Sequence, residues 1–257
     1  VKIENAVALV TGANRGIGEA FVPALLERGA AKVYAAARDL DLLAPVMALD
    51  RNRVVPVKLD VTKPEDARAV AAQAGDLTFL INNAGISHFG VTLRDPAGPD
   101  TLRREFEVNV LGLYNTFNAF ADTLGRNGGG AIANILSAAA LMSVPLLPTY
   151  ACSKAAALSL SQGMRQSLAA QKTLVSICIV GSVDTRLAAA VPGHVHKETP
   201  RFIADAVLDG VQRNEEDIDT DPMAVDVRAR IARDPKKAER WFGRGLALLD
   251  QIRQPKA

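Results

Sequence analysis

Six short apolar runs rich in β-forming residues alternate along this chain with longer helix-like segments, and that alternation limits the fold more than any other feature. The runs lie at 6–11 (AVALVT), 32–37 (KVYAAA), 54–59 (VVPVKL), 77–82 (LTFLIN), 131–136 (AIANIL) and 174–180 (LVSICIV), with a weaker seventh near 216–219. Helices fit between them at 17–28, 40–49, 64–74, 99–125, 150–171 and 201–213, with Pro64 and Pro99 suited to first turns. Strand and helix in regular succession are βαβ units, which build a parallel sheet with helices on both faces. The expectation is therefore a doubly wound α/β fold with its ligand site at the carboxyl ends of the strands.

Composition narrows the class further. The chain has 257 residues, 49% of them hydrophobic, enough for one full core. Lys+Arg number 30 against Asp+Glu 28, too even a balance for nucleic acid or an anionic membrane as partner. No stretch approaches the ~18–20 apolar residues of a membrane span. Cys152 and Cys178 are too few for a disulfide framework or a zinc site, and no metal is expected. They read as packed, reduced thiols, so a cytoplasmic protein is expected. The chain opens at Val1 directly before the first strand, which implies no signal peptide and an initiating Met removed or not included.

Two segments carry unusually little charge: none from Val108 to Ala121 or from Ala155 to Met164. A surface helix shows a polar face, so these need cover from their own sheet or from another subunit. Subunit contact is the preferred reading, as a homodimer or homotetramer. Near the end, Trp241, Gly245, Leu248, Leu249 and Ile252 form a helical stripe. Docking on the core is preferred there over a partner contact or a lid.

Thr11-Gly12-Ala13-Asn14-Arg15-Gly16-Ile17-Gly18 follows the first strand and opens the first helix. Glycines there let backbone approach a diphosphate, and the helix N-terminus supplies free N–H groups and a positive dipole end. At the end of the second strand stands Ala36-Ala37-Arg38-Asp39. A carboxylate would hold an adenosine ribose diol there, whereas an arginine suits a 2′-phosphate. With Ala37 neutral, and Arg38 and Arg15 both near, NADP(H) is preferred over NAD(H). Asp39 keeps some ambiguity.

Further on come Ser137 and then Tyr150-Ala151-Cys152-Ser153-Lys154. Four residues along a helix return to the same face, so the Tyr150 phenol and the Lys154 ammonium point the same way. A free tyrosine titrates near pH ~10, and ionising it at neutral pH needs about 4 kcal/mol of help.

Together these segments resemble a short-chain dehydrogenase/reductase over about residues 3–215. Thr11 to Gly18 matches T-G-x-x-x-G-x-G, and Asp60-Val61 matches the pair that meets the adenine. Asn82-Asn83-Ala84-Gly85 matches N-N-A-G, and Asn109 stands where the family has its helix asparagine. The resemblance implies a Rossmann-like sheet of strand order 3-2-1-4-5-6, with or without a seventh. Residues 1–220 would form the nucleotide-binding catalytic domain and 221–257 a helical extension of it.

It also implies roles for individual residues. Tyr150 exchanges a proton with the substrate oxygen, and Ser137 hydrogen-bonds the same oxygen. Lys154 binds the nicotinamide ribose and lowers the Tyr150 pKa. Asn109 fixes a water and local backbone that connect Lys154 to solvent. Cofactor contacts are implied for Gly12, Asn14, Arg15, Gly16, Ile17, Gly18, Arg38, Asp60, Val61, Asn83, Ala84, Gly85, Tyr150, Lys154, Gly181, Val183 and Thr185.

Val180-Gly181-Ser182-Val183-Asp184-Thr185 departs from the family's P-G-x-x-x-T by its valine, which removes the fixed φ of proline. The following stretch is short and Ala-rich, which implies a small lid. Candidate pocket walls are His88, Ala138, Ala139, Met142, Val144, Leu146, Leu147 and Val183, with Ser137 and Tyr150 at the substrate oxygen. His88, His194 and His196 lack the partners of a metal or catalytic site and are read as non-catalytic. These mostly apolar walls suit a small or medium ketone, aldehyde or secondary alcohol. The expected activity is NADPH-dependent carbonyl reduction. The alternatives are a nucleotide-sensing binding protein and an epimerase or dehydratase of the same fold.

Overall fold

The computed structural model describes residues 1–189 and 195–244. Its sheet comprises β1 (Val7–Thr11), β2 (Lys32–Ala37), β3 (Val54–Lys58), β4 (Phe79–Asn82), β5 (Ala131–Ile135), β6 (Leu174–Ile179) and β7 (Asp217–Asp219). All neighbours pair in parallel, in the order β3-β2-β1-β4-β5-β6-β7. The weak seventh run is thus a true edge strand. Strands buried on both faces need apolar residues at successive positions, which is why they read as continuous runs.

Alternate residues of β1 enter opposite halves of the core. Ala8 and Val10 pack toward Phe21 and Leu25 of α1 (Gly16–Glu27) and Ile203 and Val207 of α7 (Pro200–Gln212). Leu9 faces the other layer, with Val70 of α3 (Pro64–Gln73), Phe120 of α5 (Gly112–Arg126) and Met164 of α6 (Pro148–Leu168). Both layers hold the carboxyl ends of the strands open at one rim.

Three helical segments differ from the sequence expectation. The segment expected as one helix over 99–125 is α4 (Gly98–Phe106), a π-helical turn at Glu107–Leu111, and α5. The wider turn carries Asn109 into the interior, where it is 3% exposed. The segment at 40–49 is a 3₁₀ turn, Asp41–Leu43, followed by the short α2 (Ala44–Met47), because Pro45 has no N–H to continue the first. α6 begins at Pro148 rather than at 150.

Beyond β7, α8 (Pro222–Arg233) and α9 (Pro235–Gly243) each start with an Asp cap followed by proline. α9 docks on α8, with Ala238 buried and the Arg230 guanidinium 4.5 Å from the Trp241 ring. Gly245, Leu248, Leu249 and Ile252 of the expected stripe lie outside the described residues. On the uncharged segment at 108–121, Leu113, Thr116 and Phe120 are buried, while Leu111 and Tyr114 are exposed. The sheet therefore covers one side of it. No described helix is long and apolar enough to cross a membrane.

Candidate active site

The turn between β1 and α1 has the geometry a diphosphate requires. Gly12 (φ +67°) and Gly16 (φ +58°) occupy the left-handed region. Gly18 is needed for space: a Cβ there would stand 2.1 Å from the Gly12 carbonyl oxygen and 2.5 Å from Asn83 Nδ2. The N-terminus of α1 has no side-chain cap, so its first N–H groups remain available to an anion. Gly18 itself is buried and acts by letting the turn close.

The amide of Asn83 has the same supporting role. Its Nδ2 donates to the Thr11 carbonyl (2.9 Å), while Thr11 Oγ1 accepts from the Asn83 and Ala84 N–H groups (2.9 and 3.0 Å). Its side chain ties the end of β4 to the glycine turn, and the residue also lines the cleft described next.

Around the turn opens a cleft of about 1770 Å³ at the carboxyl ends of the strands. Gly12, Asn14, Arg15, Gly16, Ile17, Arg38, Asp60, Val61, Asn83, Ala84 and Gly85 line one end of it, and Gly181, Val183 and Thr185 the other. Arg15 and Arg38 are exposed and make no ion pair among the described residues. Asp39, the ambiguous carboxylate, accepts the Asp41 N–H (3.1 Å) in a local turn before the following 3₁₀ turn. A dinucleotide fits this set: a close-approach glycine turn, an uncapped helix N-terminus and two free guanidinium groups.

Tyr150 and Lys154 occupy the first two turns of α6, and both are buried although they line the cleft. Ser137 follows β5 in extended conformation and caps a 3₁₀ turn at Ala138–Ala140, accepting the Ala139 N–H at 3.2 Å. Its hydroxyl is also near enough to the Tyr150 phenol to favour the ionised form. Lys154 Nζ donates to the Ile135 carbonyl (3.0 Å) and lies 5.8 Å from the centre of the Tyr150 ring.

Burial controls the charge state of both groups. It pushes Lys154 down to about 8 and Tyr150 up to about 12, against the opposing effect of the Ser137 hydroxyl. The net direction for Tyr150 in the free protein is therefore upward, set by burial. Excluding water from the phenol outweighs what the Ser137 hydroxyl returns, and the phenol stays neutral.

Asn109 works from behind the cleft. Its Oδ1 accepts the Ile86 N–H (2.9 Å), and its Nδ2 donates to the Ile86 carbonyl (2.9 Å) and Ser153 Oγ (3.0 Å). Ser153 Oγ in turn donates to the Tyr150 carbonyl at 2.7 Å. Asn109 and Lys154 share the wall of an inner void of about 10 Å³, roughly the space of one water.

At the far end, Ala138, Ala139, Met142, Val144, Leu146, Leu147 and Val183 all line the cleft as expected. His88 does not. Its N–H and its ring Nδ1 both meet Glu105 Oε1, at 2.8 and 3.1 Å. The imidazole of His196 meets Glu198 (3.0 Å), and His194 lies outside the described residues. No group of three metal-ligating side chains occurs among the described residues.

Sequence reasoning preferred docking on the core to a lid for the stripe that begins at Trp241, yet Met223 of α8 and Trp241 and Phe242 of α9 line the same cleft. It missed Asp221. One carboxylate oxygen caps α8 by accepting the Met223 and Ala224 N–H groups (3.0 and 3.1 Å). The other accepts the Gly181 N–H at 2.7 Å and the Thr220 hydroxyl at 2.9 Å. With valine in place of proline at 180, this carboxylate fixes the loop. Asp-Pro-Met was legible as a helix start, but nothing local signals the reach to Gly181.

Fold and site together define a short-chain dehydrogenase, and the chain belongs to that family: residues 6–195 match the family model described as short chain dehydrogenase. An uncharacterized oxidoreductase from Methylorubrum extorquens is 34% identical over 191 residues, 72% of this chain and 75% of its own length. Among solved structures, a short chain dehydrogenase from Burkholderia cenocepacia in complex with NADP is similar at 37% identity and a TM-score of 0.86. That match covers 99% of this chain and 100% of the other. A short chain dehydrogenase/reductase from Burkholderia phymatum in complex with NAD matches at 25% identity and a TM-score of 0.79, over 89% of this chain and 93% of its own.

Proposed function

We propose that this oxidoreductase reduces the carbonyl of a small or medium apolar ketone or aldehyde with NADPH. The observation that carries the reading is the buried Tyr150 phenol sharing with Ser137 the wall of a largely apolar cleft. NADPH bound in the cleft supplies the hydride. The glycine turn and the α1 N-terminus hold its diphosphate, Asp60 and Val61 the adenine, and Thr185 the nicotinamide amide.

Tyr150 donates its proton to the substrate oxygen as the carbonyl carbon is reduced, and Ser137 hydrogen-bonds that oxygen as charge develops. In this direction the phenol needs no prior ionisation, so a raised pKa is no obstacle. Lys154 binds the ribose and returns a proton to Tyr150, with the void beside Asn109 as the route to solvent. Arg15 and Arg38, without an ion pair among the described residues, support NADPH over NADH, as does the NADP found in the Burkholderia cenocepacia relative. Met142, Leu147, Met223 and Phe242 suit an apolar substrate. The exposed Leu111 and Tyr114 favour a homodimer or homotetramer through this segment.

The test is NADPH consumption against a panel of ketones, aldehydes and diketones, with Tyr150→Phe as control. Turnover is expected with apolar members, and none in the variant, which still binds NADPH. Failure of every carbonyl, and of alcohols with NADP⁺, would move the reading to a nucleotide-sensing binding protein.

A further inference from the structure

α8 and α9 take no part in the proton and hydride steps, yet they wall the cleft at its Ser137 end. Two contacts fix them there. α8 rests on the turn at Ala138–Ala140 that Ser137 caps. Its Met223 stands against the loop after β6, where a Cβ on Gly181 would come within 2.8 Å of the Met223 Cβ. From α9, Trp241 and Phe242 line the cleft, Trp241 while still 43% exposed. Their rings meet edge to face, with centroids 4.7 Å apart and planes at 85°. The Trp241 ring is also held from α8. The Arg230 guanidinium lies 4.5 Å from its centre, and Asp226, one turn earlier, fixes that guanidinium at 2.6 Å.

Such a pair is a rigid corner of two aromatic surfaces rather than a deformable apolar wall. A planar ring entering it stacks on one face and meets the other ring edge-on, an arrangement worth more than its buried area alone. The thioethers of Met142 and Met223, on the same cleft, suit sulfur–aromatic contacts. A saturated ring of equal size gains only the area. Because Arg230 and Asp226 place Trp241 in advance, little ordering is left to oppose binding.

We propose that Trp241 and Phe242 are specificity-determining residues that bind a flat aromatic group, so that the substrates are aryl ketones and aryl aldehydes. The inference rests on the carbonyl-reductase reading and narrows it. Its test compares acetophenone with cyclohexyl methyl ketone, which differ only in whether the ring is aromatic. Trp241→Leu and Phe242→Leu should each lower the ratio of kcat/KM for the first to that for the second by about five- to tenfold. Taking the ratio within each protein cancels the intrinsic reactivity of the two carbonyls. It also cancels any loss of folded enzyme, which a merely structural role of α9 would impose on both substrates equally. An unchanged ratio in both variants overturns the proposal.

Trp241 is the one tryptophan of the chain, so its emission reports the subsite in the wild-type protein without any variant. Added to the NADP⁺ complex, 1-phenylethanol should change that emission saturably and bind about fivefold or more tightly than 1-cyclohexylethanol. Equal affinities, or no saturable change, overturn the proposal. This titration needs no turnover, so it decides the aromatic subsite even where no carbonyl oxidises NADPH and the reductase reading fails separately.

Discussion

Replacing Asp221 by Ala should loosen two distant parts of the molecule at once, and the size of the effect follows from its four hydrogen bonds. Losing the two to Met223 and Ala224 uncaps α8, which costs about 1 kcal/mol. Losing the bond to the part-buried Gly181 N–H leaves a donor unpaired, at roughly 1–2 kcal/mol more. The sum of roughly 2–3 kcal/mol lowers the melting temperature by about 4–12 °C in a chain of this size.

The control is Asp234→Ala, which removes the cap of α9, an exposed bond to the Lys237 N–H at 2.9 Å. That variant should lose only about 0.5–1 kcal/mol. Thermal melts compare the two, and fluorescence titration with NADPH separates them further. Gly181 and Val183 bound the cofactor cleft, so Asp221→Ala should bind NADPH about fivefold more weakly, equivalent to about 1 kcal/mol. Asp234→Ala should bind it normally. Equal melting temperatures, or unchanged NADPH affinity in Asp221→Ala, would refute the idea that this carboxylate replaces the missing proline.

Gly18→Ala places a Cβ 2.1 Å from the Gly12 carbonyl oxygen, so the turn must shift. Roughly 1–3 kcal/mol of stability and at least about tenfold in NADPH affinity should go with it, read by melting and by titration. Arg38→Ala should weaken NADPH by about tenfold, the loss of one charge-assisted hydrogen bond, and leave NADH unchanged in parallel titrations. Between about 8 and the ordinary lysine value of 10.5, the unfolded chain carries a proton on Lys154 that the folded protein lacks, so wild-type stability rises with pH across that window. Lys154→Met removes the rise: the variant, though inactive, should be the more stable at pH 7, and melts across the window should show its advantage shrinking.

The order of strands and helices was legible because each element is written in its neighbours: period two or continuous apolar runs for strands, caps and prolines for helices. The glycine turn, Ser137, Tyr150 and Lys154 were legible for the same reason, as residue types at short fixed spacings. One exception is informative. His88 looked like a pocket wall from its place after Gly85, but its ring is held by Glu105 of α4.

What the sequence by itself determined is the parallel sheet and the chemistry at its rim, since both depend on local periodicity and residue type. Tertiary structure decided how that chemistry is tuned. Only folding excludes water from Tyr150 and Lys154, drops Asn109 inward on a π turn and brings Asp221 to Gly181. Burial and pairing depend on residues that meet only in three dimensions, and the energy of a charge or a proton depends on what surrounds it.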